Sequence, residues 1–115
     1  MAVSVILLRS FLLILWALVA AVTFWALLER GLIEAPRTFL SDLRHPWRAQ
    51  FYSDLEAHLL LVGAWMIYRE RLPLAGIACA AATLLLGALF SLPYVLLASV
   101  RAGGDMRRLL LGARA

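Results

Sequence analysis

The chain has 115 residues, of which 64% are apolar and 16% charged, and its formal net charge of +4 rests on eleven arginines with no lysine. That balance excludes an ordinary water-soluble domain, leaves room for one domain of a few helices, and points the basic side chains at anionic lipid headgroups or an acidic partner surface. No basic run is interleaved with base-stacking aromatics, which argues against nucleic acid, and a single cysteine, Cys79, excludes an internal disulfide or a multi-cysteine metal site.

In chain order, Ser10 to Leu28 carries no charge, and with Arg9 snorkelling to the interface the first span covers about residues 5–28. The run is too long for a signal peptide and lacks an early basic cluster. Between Arg30 and Gln50 the pattern turns amphipathic. At about 100° per residue, Pro36, Phe39, Leu40, Leu43 and Trp47 share one side and Arg37, Ser41, Arg44 and Arg48 the other. Pro36 suits a first helical position and Pro46 a stop, which predicts an in-plane helix over about residues 36–45, with Arg37, Arg44 and Arg48 on lipid headgroups.

A second span is expected over about residues 51–68. Phe51 and Tyr52 at one end and Trp65 and Tyr68 at the other bracket it as interface anchors do. From Leu72 to Val100 no charge occurs over 29 residues. As helix that is roughly 43 Å, more than the roughly 30 Å hydrocarbon core of a bilayer, and it predicts a third span over about residues 73–100. Along it Ala75, Cys79, Thr83, Gly87 and Ser91 recur every four residues, a stripe of small side chains suited to close helix packing, which Gly76 and Ala80 widen. Pro93 removes the amide that would bond the Leu89 carbonyl, so a bend is expected there. The basic tail, 101–115, places Arg107, Arg108 and Arg114 around Leu109 to Leu111 after the Gly103–Gly104 break, which predicts a short surface helix with Arg107 and Arg108 on headgroups.

The fold class expected is thus an all-α integral membrane protein with three transmembrane helices and an amphipathic in-plane helix between the first and second. For a three-span chain the arginines divide eight against three, which puts the amino terminus outside and the carboxyl terminus in the cytoplasm.

Chemistry is sought where polarity costs most. Asp54 and His58 are four apart on one helix face and Glu56 points roughly the opposite way. In the plainest reading they form a polar helix end at headgroup level, with Arg48 or Arg44 as ion-pair partners. In a second, they make a proton or partner site. In a third, His58 is the axial ligand of a haem or chlorophyll-type pigment, the one cofactor that enters consideration. His45 reads as a surface residue. No Ser, His and Asp set, no further metal-ligand spacing and no glycine-rich phosphate loop is present, so an enzyme is not indicated.

The segment His45-Pro46-Trp47-Arg48-Ala49-Gln50-Phe51-Tyr52-Ser53-Asp54-Leu55, followed by Tyr68-Arg69-Glu70-Arg71 and Gly87-Ala88-Leu89-Phe90-Ser91-Leu92-Pro93, resembles a family of short bacterial membrane proteins catalogued only as a domain of unknown function. The resemblance covers about residues 20 to 101 and implies a small three-helix membrane architecture with no assigned activity. His45 stands where the family pattern has Asn, Glu56 and His58 are additions, and family members tend to carry basic residues before the first span, which implies the reverse orientation. Size and the small-residue stripe lead to the expected function: a small non-catalytic accessory or structural subunit of a larger membrane complex, in contact with lipids and with other integral membrane subunits or further copies of itself. The alternative is a small proton-coupled transporter working as a homo-oligomer with Asp54 or Glu56 as the titrating group, and the third a tetrapyrrole-binding subunit using His58.

Overall fold

The computed structural model describes residues 2–115, which form six α-helices and a closing 3-10 turn, with no strand among the described residues. Helix α1, Ala2–Arg30, contains neither Gly nor Pro, and it ends where the Gly31 amide bonds the Leu27 carbonyl at 3.0 Å. It is long and apolar enough to cross a membrane, and only 6% of its most apolar 18-residue window is buried against the rest of the chain. A core helix of a soluble protein would be covered; this one shows its leucines outward.

Helix α2, Glu34–Asp42, begins two residues before the expected start. Pro36 is its third residue, and since the first four amides of any helix lack an internal acceptor, the missing N–H costs nothing there either. Pro46 does more than stop this element: it is the first residue of α3, Pro46–Arg69, which therefore starts five residues before the expected second span.

The expected single span over residues 73–100 is not one helix. Helix α4, Pro73–Leu86, and helix α5, Ala88–Arg101, are separated by Gly87 at φ +61° and ψ −132°, backbone that a residue with a Cβ avoids. The chain reverses there. Tyr94 lies seven residues past the glycine, yet its hydroxyl bonds Glu70 and Arg69 beside the start of α4; a continuous helix would put it roughly 30 Å away. The two arms, each about 21 Å long, make a helical hairpin. The break in the stretch falls at this tip, and α5 stays helical through Pro93, where a bend was expected. The Leu89 carbonyl that Pro93 leaves free accepts a hydrogen bond from the Trp16 indole of α1 at 3.2 Å. Trp16→Phe is accordingly expected to lower stability by about 1 kcal/mol with the fold retained, measured by denaturant unfolding in detergent.

Each arm has its own partner. Helix α4 runs antiparallel to α3 in very close approach: a Cβ added to Gly63 would stand 3.1 Å from the Ala80 Cβ, and one added to Gly76 only 2.9 Å from the Ile67 Cα. Between them the buried Thr83 hydroxyl donates to the Met66 sulfur at 3.1 Å. Helix α5 runs antiparallel to α1, with Arg9 beside Ser99 and Trp16 beside Leu89. Extending both registers puts the Gly87 tip level with Glu56 of α3 and with the Leu18 region of α1, about the middle of α1's charge-free stretch.

Helix α6, Met106–Leu111, is capped by Asp105, whose side chain accepts from the Arg107 amide at 2.9 Å. It is helical as expected but docked rather than free, since Leu109 is buried with Ala98 and Ala102 over Leu8 and Val95. The hairpin thus returns the chain to the end from which α1 starts. Arg9, Arg69, Arg71, Arg101, Arg107, Arg108 and Arg114 gather at that end, and Arg30, Arg37, Arg44 and Arg48 at the α2 end.

Candidate functional site

At the α2 end, the residues expected on headgroups serve partly to clasp α2 to α3. Arg48 pairs with Asp42 at 3.1 Å, the Tyr52 hydroxyl donates to the other Asp42 oxygen at 3.0 Å, and the Phe39 and Tyr52 rings meet edge-on at 4.9 Å. Arg37 reaches Glu34 at 3.4 Å on the exposed face, and Arg44 has no ion-pair partner among the described residues.

Asp54, Glu56 and His58 are therefore not paired with Arg48 or Arg44, as the plainest sequence reading expected. Because α3 starts at Pro46, they fall in its third and fourth turns, level with the hairpin tip, rather than in the first two turns of a span starting at Phe51. The reason is local: Pro46 nucleates the helix early, and Arg48 is drawn to Asp42. The side chains of Asp54 and His58 are 63% and 70% exposed, on the face of α3 turned away from α4, and Glu56 is half-buried. The Nδ1 of His58 lies 2.7 Å from the Asp54 carbonyl oxygen, which can only accept, so Nδ1 carries a proton. The Asp54 carboxylate stands 3.7 Å from the same ring nitrogen. No group of three or more His, Cys, Asp or Glu that could hold a metal ion occurs among the described residues.

The small-residue stripe divides at the tip. Thr83 is buried against α3 and Ala75 and Cys79 are half-buried on α4; Gly87 forms the tip, and the half-buried Ser91 belongs to α5. Close contact with α3 runs instead through Gly76, Ala80 and Thr83. At the tip itself the carbonyls of Leu84, Leu85 and Leu86 and the amides of Ala88 and Leu89 have no hydrogen-bond partner among the described residues. Leu85 is 85% exposed, and a Cβ added to Gly87 would meet nothing within 4 Å.

The most connected polar group is one that sequence reasoning missed. At the end of α3, the nearly buried Arg69 donates from Nε to the Leu109 carbonyl at 3.0 Å, and from Nη1 to the Tyr94 hydroxyl at 2.9 Å and to Glu70 at 3.3 Å. The Tyr94 hydroxyl also donates to Glu70. The guanidinium lies over the Trp65 and Tyr94 rings at 5.5 and 5.4 Å, the Trp65 indole donates to the Leu110 carbonyl at 2.8 Å, and Arg114 donates to the Tyr68 carbonyl at 2.9 Å. Arg69, Glu70 and Trp65 thus hold the hairpin's returning arm and the carboxyl-terminal helix together. A tyrosine alone in a long apolar stretch was the available signal, but its partners are neighbours only after the chain reverses. Arg107 and Arg108 stand exposed on α6, Arg108 within 3.8 Å of Asp105.

No family model, no curated protein and no solved structure matches the chain.

Proposed function

We propose that this chain is a small non-catalytic subunit of a larger membrane assembly, held in the bilayer by α1 and α3 with the α4–α5 hairpin entering from one side and returning to it. The observation that carries the reading is the uncovered tip. Backbone groups without partners cost several kcal/mol each in hydrocarbon, and irregular backbone at depth persists only where protein or a water-filled cavity covers it. Here the free carbonyls and amides around Gly87 lie level with the middle of α1's apolar stretch, and the exposed Asp54 and His58 lie at a similar height. One copy leaves the tip groups without partners and Leu85, Asp54 and His58 exposed, so neighbouring helices are the cover this reading supplies.

This topology alters the expected orientation. With α5 returning, seven arginines lie on the side of both termini against four on the α2 side, which favours both termini in the cytoplasm; the three-span count had placed the amino terminus outside. Arg44 remains available to anionic headgroups on the opposite face, worth about 1 kcal/mol near the surface, and the exposed Arg37 shares its charge with Glu34.

The test is native mass after extraction from the membrane in mild detergent. One species containing other integral membrane proteins is the expected result, and a stable monomer of this chain alone would overturn the reading. A dimer or tetramer of the chain alone would favour the homo-oligomeric transporter, for which the mid-height placement of Asp54, Glu56 and His58 is the specific support. Asp54→Asn separates the two further. It is expected to leave insertion and assembled mass unchanged, because an exposed Asp–His pair contributes about 0–1 kcal/mol and the amide still hydrogen-bonds. Loss of proton-coupled transport in reconstituted vesicles at unchanged assembly would decide for the transporter. A tetrapyrrole subunit would show visible absorption that His58→Leu removes and Asp54→Asn keeps.

A further inference from the structure

We propose that the cavity of about 390 Å³ at the carboxyl-terminal end of the molecule is a binding site for a phosphate-bearing anion, with Arg71 and Arg101 as the principal contacts and Arg108 as a third. Four arginines from four different parts of the chain line this space: Arg69 from the end of α3, Arg71 from the α3–α4 connection, Arg101 from the end of α5 and Arg108 from α6. Their charges are unevenly spent. Arg69 is committed to Glu70, Tyr94 and the Leu109 carbonyl, so those two opposite charges cancel within the floor of the cavity. Arg71 and Arg101 have no ion pair and no side-chain hydrogen bond among the described residues, and the 70% exposed Arg108 side chain is held only by a 3.8 Å approach to Asp105. Arginine in the last turn of a helix is favourable against the helix dipole, which accounts for Arg69, Arg101 and Arg108 one at a time. It does not account for Arg71, which lies outside any helix, nor for the convergence of all four on one space.

The guanidinium fork matches phosphate oxygens bidentately, and an open cavity of this size admits a phosphodiester or diphosphate group. The cavity lies at the level of Arg9 and Arg69, where the charge-free stretches of α1, α4 and α5 end. In a bilayer that is headgroup depth, so a doubly charged lipid headgroup is the favoured source, and this choice of source rests on the membrane placement proposed above. The site chemistry does not depend on it, and binding is read on the chain alone, so it can fail or succeed independently of any assembly.

The experiment titrates the full-length chain, purified in a maltoside detergent, with diphosphatidylglycerol, phosphatidylglycerol or inorganic pyrophosphate, and follows the thermal unfolding midpoint and tryptophan fluorescence. Diphosphatidylglycerol is expected to bind and stabilise. Replacing Arg71→Gln and Arg101→Gln together is expected to weaken it about thirty-fold, the effect of two lost surface cations. Arg71→Lys with Arg101→Lys should recover part of the loss through charge without the fork, whereas Arg30→Gln with Arg44→Gln, an equal charge change at the other end, should cost no more than about two-fold. Pyrophosphate binding that is lost in the same arginine variant, with no response to either lipid, would support the phosphate site and assign it a soluble source. Equal weakening by both charge changes, or no binding of any of the three probes to the wild-type chain, would overturn it. Circular dichroism of each variant distinguishes lost binding from lost fold.

Discussion

Replacing Arg69→Met is expected to cost about 3–5 kcal/mol and to release the carboxyl-terminal helix. The change keeps much of the apolar stem and removes the guanidinium, which breaks the bonds to the Leu109 carbonyl, Tyr94 and Glu70 and the stacking over Trp65. Its largest component is the charge left behind: Glu70, with a side chain 25% exposed, loses the cation that balances it, and breaking a largely buried pair from one side is more damaging than the pair's net worth. Two measurements check this. Hydrogen exchange over residues 106–115 should rise far more than over α1, and Arg69→Met combined with Glu70→Gln should recover part of the lost stability because no charge is then stranded. Unchanged exchange in the tail would show that α6 is held by Leu109 burial alone. Arg69→Lys should fall in between, retaining the charge but reaching fewer of the acceptors.

Gly87→Ala is expected to lower stability by about 1–3 kcal/mol through backbone strain, since φ +61° with ψ −132° suits only glycine. Straightening α4 and α5 into one helix would relieve that strain. It would also abandon the packing of α5 on α1, the Arg9–Ser99 and Trp16–Leu89 bonds, and the docking of α6, which together outweigh a strain of this size. The hairpin should therefore persist, and a cysteine introduced as Ala115→Cys in a Cys79→Ser background should stay labelled from the same side of the membrane. Gly87→Leu adds a second comparison. Nothing in the chain lies within 4 Å of the new Cβ, so in an isolated copy Leu should cost about as much as Ala. If the tip is covered by a neighbouring subunit, Leu should dissociate the assembly where Ala does not. Stability unaffected by either substitution would rule out the positive-φ tip.

Much of the local structure is legible in the sequence. An uninterrupted apolar stretch before Gly31 predicts α1, and the Gly103–Gly104 break ahead of an apolar-basic run predicts α6. The α2–α3 boundary moves because a proline suits both a stop and a first helical turn, and Pro46 acts as the second while Pro36 tolerates a third position. The hairpin is hidden for a different reason. A small residue every fourth position, Ala75, Cys79, Thr83 and Gly87, carries the signature of close packing, and Thr83 and the neighbouring Gly76 do serve that purpose against α3, but Gly87 continues the same spacing and makes a reversal. Only contacts distant in sequence, such as Tyr94 to Glu70, separate the two roles. The same distance hides the Arg69 cluster and the arginine-lined cavity, whereas Asp54 and His58, neighbours on one helix, are legible as a pair and misplaced in height and in their arginine partners.

The pairing of α1 with α5 also sets an order in time. Arg9 and Ser99 are 90 positions apart, so at a synthesis rate of about 5–20 residues per second the first helix exists for roughly 5–20 s before its partner has been made. Through that interval Leu12 and Trp16 lack their α5 neighbours, and α3 with α4 closes into a finished pair first. On the membrane placement proposed above, lipid or an insertion factor would shelter the newborn helix, and residues 102–115, which seat α6 against α5 and Leu8, act as the latch that ends the wait.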